Sequence, residues 1–276
     1  MQVFQKIILS IYRAVNKIGL LQFPWTKRLF WLFYCWYKQY FEDPFFGLSR
    51  KYPDLFRGGN ILDIGANIGY TAMVFSKVIA NDFKVYAFEP DRDNFLMLKD
   101  AIARCKARNT VIPIQAAVGE TTGTIEFWHN EEHHADCRVV TEDYRKTGIA
   151  RQKISIVPVQ TIDSFVSSEI AKQAIKFIKI DVQGYELPVC YGMQQTLAAN
   201  PDLVVALEYA PQSMEELGFS SQKLLDFFET KNYLMYILTR KGQLALARRE
   251  SIDKLVNQRG YIDMIFSKKK IKFSIN

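Results

Sequence analysis

The sequence predicts an α/β protein: a doubly wound, mostly parallel sheet with an added helical segment at its N-terminus. Three observations predict it. From about residue 58 onward, short apolar runs alternate with helix-patterned stretches, the alternation that builds parallel sheets through crossover helices. The first of these runs, in ILDIGANIG (61–69), stops on an acid and turns through two glycines into a helix. Hydrophobic residues make up 49% of 276 positions and charged residues 24%, enough for one large core and too apolar for a disordered chain.

The first forty residues stand apart. Phe4, Ile8, Ile11, Val15 and Ile18 fall at three- and four-residue steps on one helical face. Pro24 ends that helix, and a second is expected from about Thr26 to Tyr40, apolar nearly all round. The segment carries Lys6, Arg13, Lys17, Lys27, Arg28 and Lys38 and no acid, and it holds Trp25, Trp31 and Trp36. Aromatic and basic residues on an amphipathic helix suit a membrane interface. They also suit helices packed on the main domain or on a second subunit of a homodimer. The run LFWLFYCWY (29–37) is too short to span a bilayer. The expected division is a helical segment over 1–45 and one domain over 46–276.

Within that domain the elements follow in order. NILDIG is the first strand, after the turn RGG. GYTAMVFSKVIA is a helix with Met73, Val74 and Val78 on one side. KVYAFEP is the second strand, and Asp91 caps the helix that starts after it. TVIPIQAAV is the third strand. An insertion at about 120–160 is expected to place two short strands around a polar loop near the substrate. IKFIKID is the fourth strand, followed by a helix around ELPVCYGMQQTL. DLVVALEY is the fifth, with a helix near 220–230 behind it. YLMYILTR and YIDMIFSKK close the sheet.

Ligands of open parallel sheets bind beyond the carboxyl ends of the strands. Asp63 lies at the end of the first strand, with Gly65, Asn67 and Gly69 in the turn after it. A dinucleotide turn reads G-x-G-x-x-G, whereas this one reads D-x-G-x-N-x-G, with an acid that would repel a pyrophosphate. Glu89 ends the second strand twenty residues after Gly69, where a carboxylate can accept from ribose hydroxyls. One acid for a cationic tail and one for a ribose suggest S-adenosylmethionine. An NAD-type oxidoreductase and a non-catalytic, membrane-recruited interaction protein are the alternatives. Lys179, Asp181 and Glu186 in IKFIKIDVQGYEL, with Glu208 in the fifth strand, bring further charge to the same edge, and Gly184 allows a sharp turn there. Asp63, Glu89, Asp181 and Glu208 converge there, and four carboxylates need ligands, metals or lysines to answer them.

At these motifs the chain resembles the FkbM family of S-adenosylmethionine-dependent methyltransferases. LDIGANIGYTA, VYAFEPDRDNF, VQTIDSFV, FIKIDVQGYE and LVVALEY follow that family's order over roughly residues 52–240. The resemblance implies a class I methyltransferase fold with a reversed last strand. It also implies O-methylation of a sugar, glycan or other hydroxylated small molecule. Gln183 departs from the family's usual glutamate.

The expected cofactor residues are Asp63, Gly65, Asn67, Gly69, Glu89 and Ala117. Transfer to an aliphatic hydroxyl needs a base to take its proton. Asp181 is the first candidate, with Lys179 to orient it and Glu186 and Glu208 as further candidates. Asp181 and Glu208 could alternatively share Mg²⁺ and acidify the bound hydroxyl. His129, His133 and His134 lie in the insertion, read as an exposed polar loop or as a source of the base. Four cysteines without metal or redox spacing indicate reduced thiols and a cytoplasmic location, with the inner face of the membrane as a variant. The net charge of +7 sits toward the chain ends and no nucleic-acid module is present, so nucleic acid is not an expected partner.

Overall fold

The structure is a computed structural model, and the residues described are 43–108, 110–130, 137–149, 153–170 and 173–272. The chain divides into two units, Met1–Asp43 and Pro44–Asn276. The helices expected over residues 1–40 lie outside the described residues.

The second unit opens with α1 (Phe45–Lys51), then β1 (Asn60–Ile64), α2 (Tyr70–Ser76), β2 (Val85–Phe88), α3 (Arg92–Arg104) and β3 (Val111–Ile114). The insertion follows as β4 (Ala117–Val118), β5 (Gly123–Trp128), β6 (Arg138–Val139), α4 (Glu142–Lys146) and β7 (Ile154–Gln160). After α5 (Ile162–Phe165) come β8 (Ile175–Ile180), α6 (Glu186–Tyr191), α7 (Gln194–Ala199), β9 (Val204–Tyr209), α8 (Pro211–Glu216) and α9 (Ser221–Glu229). The chain finishes on β10 (Leu234–Leu238), β11 (Leu244–Leu246), α10 (Arg249–Arg259) and β12 (Ile262–Ser267).

The main sheet has the order β11-β10-β12-β9-β8-β1-β2-β3. Pairs from β3 through β9 are parallel, and β12 runs antiparallel to both β9 and β10. Without β11, the order is third, second, first, fourth, fifth, seventh, sixth, with the seventh reversed. That is the class I methyltransferase arrangement. Parallel strands covered on both faces are mostly apolar, and all five residues of β1 are buried, Asn60 and Asp63 among them. Phe45, Phe56, Phe75 and Phe177 interlock on one face, Phe56 and Phe177 with centroids 4.6 Å apart. Phe88 and Phe165 meet edge to face at 4.9 Å in the large core cluster.

Four details differ from the expected layout. TVIPIQAAV is not one strand: β3 ends at Ile114, and Ala117 pairs instead with Val159 in a separate sheet. The insertion is a four-stranded sheet, β4-β7-β5-β6, around a small core of Ala117, Phe127, Val139, Val157 and Val159. The expected single helix over ELPVCYGMQQTL is two, because Asp163 accepts from the backbone N–H groups of Gln195 and Thr196 and so starts α7 afresh. Finally, β11 and α10 add a hairpin edge and a helix between the last two expected strands.

Candidate active site

The strand ends carry the chemistry. Asp63 and Lys179 are register partners across β1 and β8. Alternation along β8 puts Asp181, two residues on, on the side of Lys179. One step beyond the pair Ile180–Leu207, Asp181 adjoins Glu208 of β9, and Glu208 is the partner of Asp263 in β12. Asp63, Lys179, Asp181 and Glu208 thus form one charged row across three strands.

Lys179 is the hub of that row. Its Nζ donates to the Gly65 carbonyl at 3.0 Å and lies 3.3 Å from Asp181 Oδ2 and 3.5 Å from Asp63 Oδ1. Asp63 is fully buried and Lys179 nearly so, while the Asp181 side chain is 35% exposed. Asp181 Oδ1 accepts from Gln183 Nε2 at 2.9 Å. A lysine thus answers two of the clustered carboxylates, one of the three ways that such a cluster is stabilised.

Glu186 and Glu208 differ from Asp181. Glu186 is fully buried, and its Oε1 accepts from the backbone N–H groups of Val182 and Gly184, which closes the turn after β8. Burial, reinforced by Asp181, raises its pKa to about 7. Burial, together with Asp181, Asp263 and Glu186, pushes the Glu208 carboxyl well above the usual range. A carboxyl pushed toward its neutral form, as Glu208 is, is a poor base at neutral pH, whereas Glu186 is closed off by its burial and its two backbone hydrogen bonds. Among the described residues, no group of three or more His, Cys, Asp or Glu is arranged to hold a metal ion. Asp181 and Glu208 would offer two carboxylates to Mg²⁺, and Asp181 is already paired with the Lys179 ammonium.

The turn after β1 holds Gly65, Asn67 and Gly69 at φ of 78°, 50° and 91°. Its bareness has an internal cause. A Cβ on Gly65 would lie 1.9 Å from the Asp181 carbonyl oxygen, and one on Gly69 would lie 2.6 Å from Leu98. The glycines thus let β1 and β8 close at their ends and let α3 pack on the turn. Asn67 donates its backbone N–H to Glu89 Oε2 at 2.7 Å, and Asp91 donates its own to Glu89 Oε1 at 2.9 Å. Burial is the main reason that the Glu89 pKa rises to about 7, against these two hydrogen bonds. Glu89 also holds a side-chain hydrogen bond from Asn94, and with four lone-pair sites in all its carboxylate keeps room for a ribose hydroxyl. Ala117 sits in the small sheet's core.

The insertion reaches this edge through three contacts. Tyr185, just past the β8 turn, packs on the small sheet's core and within 3.1 Å of where a Gly119 Cβ would stand. Arg138 of β6 pairs with Glu216 of α8 at 2.9 Å. His129, which follows β5, is engaged at both ring nitrogens: Nδ1 lies 2.5 Å from Asp91 Oδ2 and Nε2 2.6 Å from Ser155 Oγ. The pattern of residues did not point to that link, since its three members are far apart in the chain. His133 and His134 lie outside the described residues.

Comparison with known proteins follows the same lines. Residues 63–235, well over half of the chain, match the family model for the methyltransferase FkbM domain. The hexuronic acid methyltransferase AglP of Haloferax volcanii is 26% identical over 190 residues, covering 68% of this chain and 70% of that protein. Among solved structures, a methyltransferase FkbM from Methylobacillus flagellatus aligns at 19% identity and a TM-score of 0.47 over 83% of this chain. The match spans 47% of that protein, about half its length. An S-adenosylmethionine-dependent methyltransferase from Aquifex aeolicus aligns at 14% identity and a TM-score of 0.44, over 91% of this chain and 96% of the other.

Proposed function

The chain belongs to the FkbM methyltransferase family, and from that premise we propose that it methylates a hydroxyl of a sugar or glycan, with Asp181 as the general base. The family makes the protein an S-adenosylmethionine-dependent methyltransferase. The acceptor class is our reading, and the likeness to a hexuronic acid methyltransferase supports it.

When bound, S-adenosylmethionine supplies a methyl group on a sulfonium whose departure leaves a neutral thioether. The turn Gly65–Asn67–Gly69 and the end of β1 would hold it, with Glu89 accepting from its ribose hydroxyls. Asp63 would act on its amino-acid end from beneath the turn, its charge shared with Lys179.

The observation that carries the catalytic assignment is the contrast among the carboxylates. Asp63 and Glu186 are fully buried, and Glu208 favours its neutral form, whereas Asp181 is 35% exposed. An acceptor can reach Asp181, and Glu208, the row's other partly exposed carboxylate, is the one pushed toward its neutral form. Asp181 would take the proton from the acceptor oxygen as that oxygen bonds to the methyl carbon. Lys179 and Gln183 would hold the two oxygens of Asp181 in place, which keeps the base in line with the hydroxyl. The test is Asp181→Asn, assayed by mass spectrometry for methylated product from candidate sugar acceptors. Undiminished transfer would remove Asp181 as base.

The N-terminal segment supports a second part of the proposal. Its aromatic and basic residues would hold the enzyme at an anionic membrane surface, or against a second subunit, close to lipid-linked or polymeric acceptors. Among the described residues, no helix is long and apolar enough to cross a membrane.

A further inference from the structure

A chain of hydrogen bonds runs from the inserted sheet to the acid at the end of β2. Ser155 Oγ lies 2.6 Å from His129 Nε2, and His129 Nδ1 lies 2.5 Å from Asp91 Oδ2. Asp91 in turn donates its backbone N–H to Glu89 Oε1 at 2.9 Å. An ionised carboxylate only accepts, so His129 donates from Nδ1, and in a neutral ring Nε2 accepts from the Ser155 hydroxyl. Asp91 is only 4% exposed and its other oxygen accepts from the Asn94 N–H, capping α3. A buried carboxylate held on both oxygens leaves its backbone little freedom.

We infer that His129 is a positioning residue for the cofactor's ribose: by holding Asp91 it keeps the Asp91 N–H on Glu89, so the inserted sheet sets how firmly the ribose hydroxyls are bound. The inference rests on the reading of Glu89 as the ribose acid. The two ends of the chain are built differently. Asn67, which holds the other Glu89 oxygen, belongs to the turn after β1 and moves with the main sheet. Asp91 is tied to an added sheet by a side chain that comes from β5's end.

The charges point the same way. Asp91 raises the Glu89 pKa through its own negative charge, while its N–H lowers it. A donor on Asp91 Oδ2 offsets the first effect and preserves the second, and both favour the ionised Glu89 that ribose hydroxyls need. His129 lines a cleft of about 330 Å³ with Arg92, Asn130 and Lys153, and its side chain is 23% exposed. Cutting the ring back therefore opens onto solvent rather than leaving a sealed void.

The test uses the full chain and needs no acceptor. Calorimetry would compare S-adenosylhomocysteine with its 2′,3′-dideoxyribose analogue in the parent, His129→Ala, His129→Asn, Ser155→Ala and Glu89→Gln. His129→Ala is expected to weaken S-adenosylhomocysteine roughly tenfold, the scale of one hydrogen bond to a charged group, and to leave the dideoxy analogue at its parental affinity. His129→Asn, whose amide can still donate to Asp91, is expected to recover most of the loss. Ser155→Ala should lose less than His129→Ala, again only for the ribose-bearing ligand. Parental binding of S-adenosylhomocysteine by His129→Ala, or equal losses for both ligands, would overturn the inference while leaving Glu89 in place. If Glu89→Gln itself binds both ligands as the parent does, the ribose reading falls and the inference with it.

Discussion

Lys179 stands directly across from Asp63 in the register of β1 and β8, its Nζ 3.5 Å from Asp63 Oδ1. Both side chains are buried, so neither charge has bulk water to fall back on. Lys179→Met should therefore destabilise the protein by about 3–5 kcal/mol, the cost of stranding a buried ion. Adding Asp63→Asn should return part of that loss. Urea denaturation of the two single variants and the double variant measures the coupling. Additive losses would mean that the pair does not interact.

Asp181→Asn keeps the shape of the side chain and removes its basicity. Turnover should fall by roughly 10²–10⁴-fold, the range of general-base catalysis. Affinity for S-adenosylmethionine should not change, because Glu89 and the turn after β1 carry that binding. A variant that lost affinity and rate together would place Asp181 in the cofactor site.

The pH dependence of Glu89 has a definite sign. Its pKa rises from 4.5 in the open chain to about 7 in the fold, so the folded state holds the proton more tightly. The associated stability is complete below about pH 4.5 and is lost as pH climbs through about 7, a change of roughly 3 kcal/mol. Thermal unfolding from pH 5 to 8 should show the parent losing stability relative to Glu89→Gln. Ribose hydroxyls favour the ionised form, so the rise in Tm caused by S-adenosylmethionine should grow over the same interval. A ligand-induced shift that is flat with pH would separate Glu89 from the ribose.

Gly65→Ala tests the internal cause of the bare turn. The left-handed backbone alone costs a side chain roughly 1–2 kcal/mol. The Asp181 carbonyl would have to move as well, so the loss in unfolding free energy should exceed that figure. Transfer activity should fall with it, since Asp181 cannot shift its backbone and keep its side chain in place. A loss within the backbone cost alone would show that the ends of β1 and β8 have slack.

The membrane arm of the proposal predicts that the full chain floats with anionic liposomes and that a chain starting near Asp43, without residues 1–41, does not. Equal flotation of both would exclude a membrane role for the segment. Loss of a dimer on truncation, without lipid binding, would make it a subunit contact.

What the residues disclosed in advance was the skeleton. β1, β8 and β9 are mainly apolar runs that carry an acid at or beside their ends, and such runs announce buried parallel strands and the edge where ligands bind. What they concealed was pairing at a distance. Nothing local to Lys179 says that it will face Asp63, and nothing local to His129 says that Asp91 and Ser155 will hold it. α10 was hidden for another reason: RESIDKLVNQR is polar nearly throughout, with Ile252 its one fully buried residue among those described, so it carries too weak a stripe to register as a helix. The stretch TVIPIQAAV misled because only Gln115 interrupts its apolar run, and only the partners of Ile114 and Ala117 reveal that it serves two sheets.

The position of β1 has a consequence for how the chain is made. Its two neighbours are β2, which follows at once, and β8, which comes more than a hundred residues later. During synthesis, β1, β2 and β3 can assemble early, but the ribosome must translate the whole insertion before β8 arrives. Until then the nascent sheet has an open edge at β1, and Asp63 waits there without the ammonium destined for it. Pairing over such a span is slow, and that edge is where a chaperone, or another unfinished copy, would first find the protein.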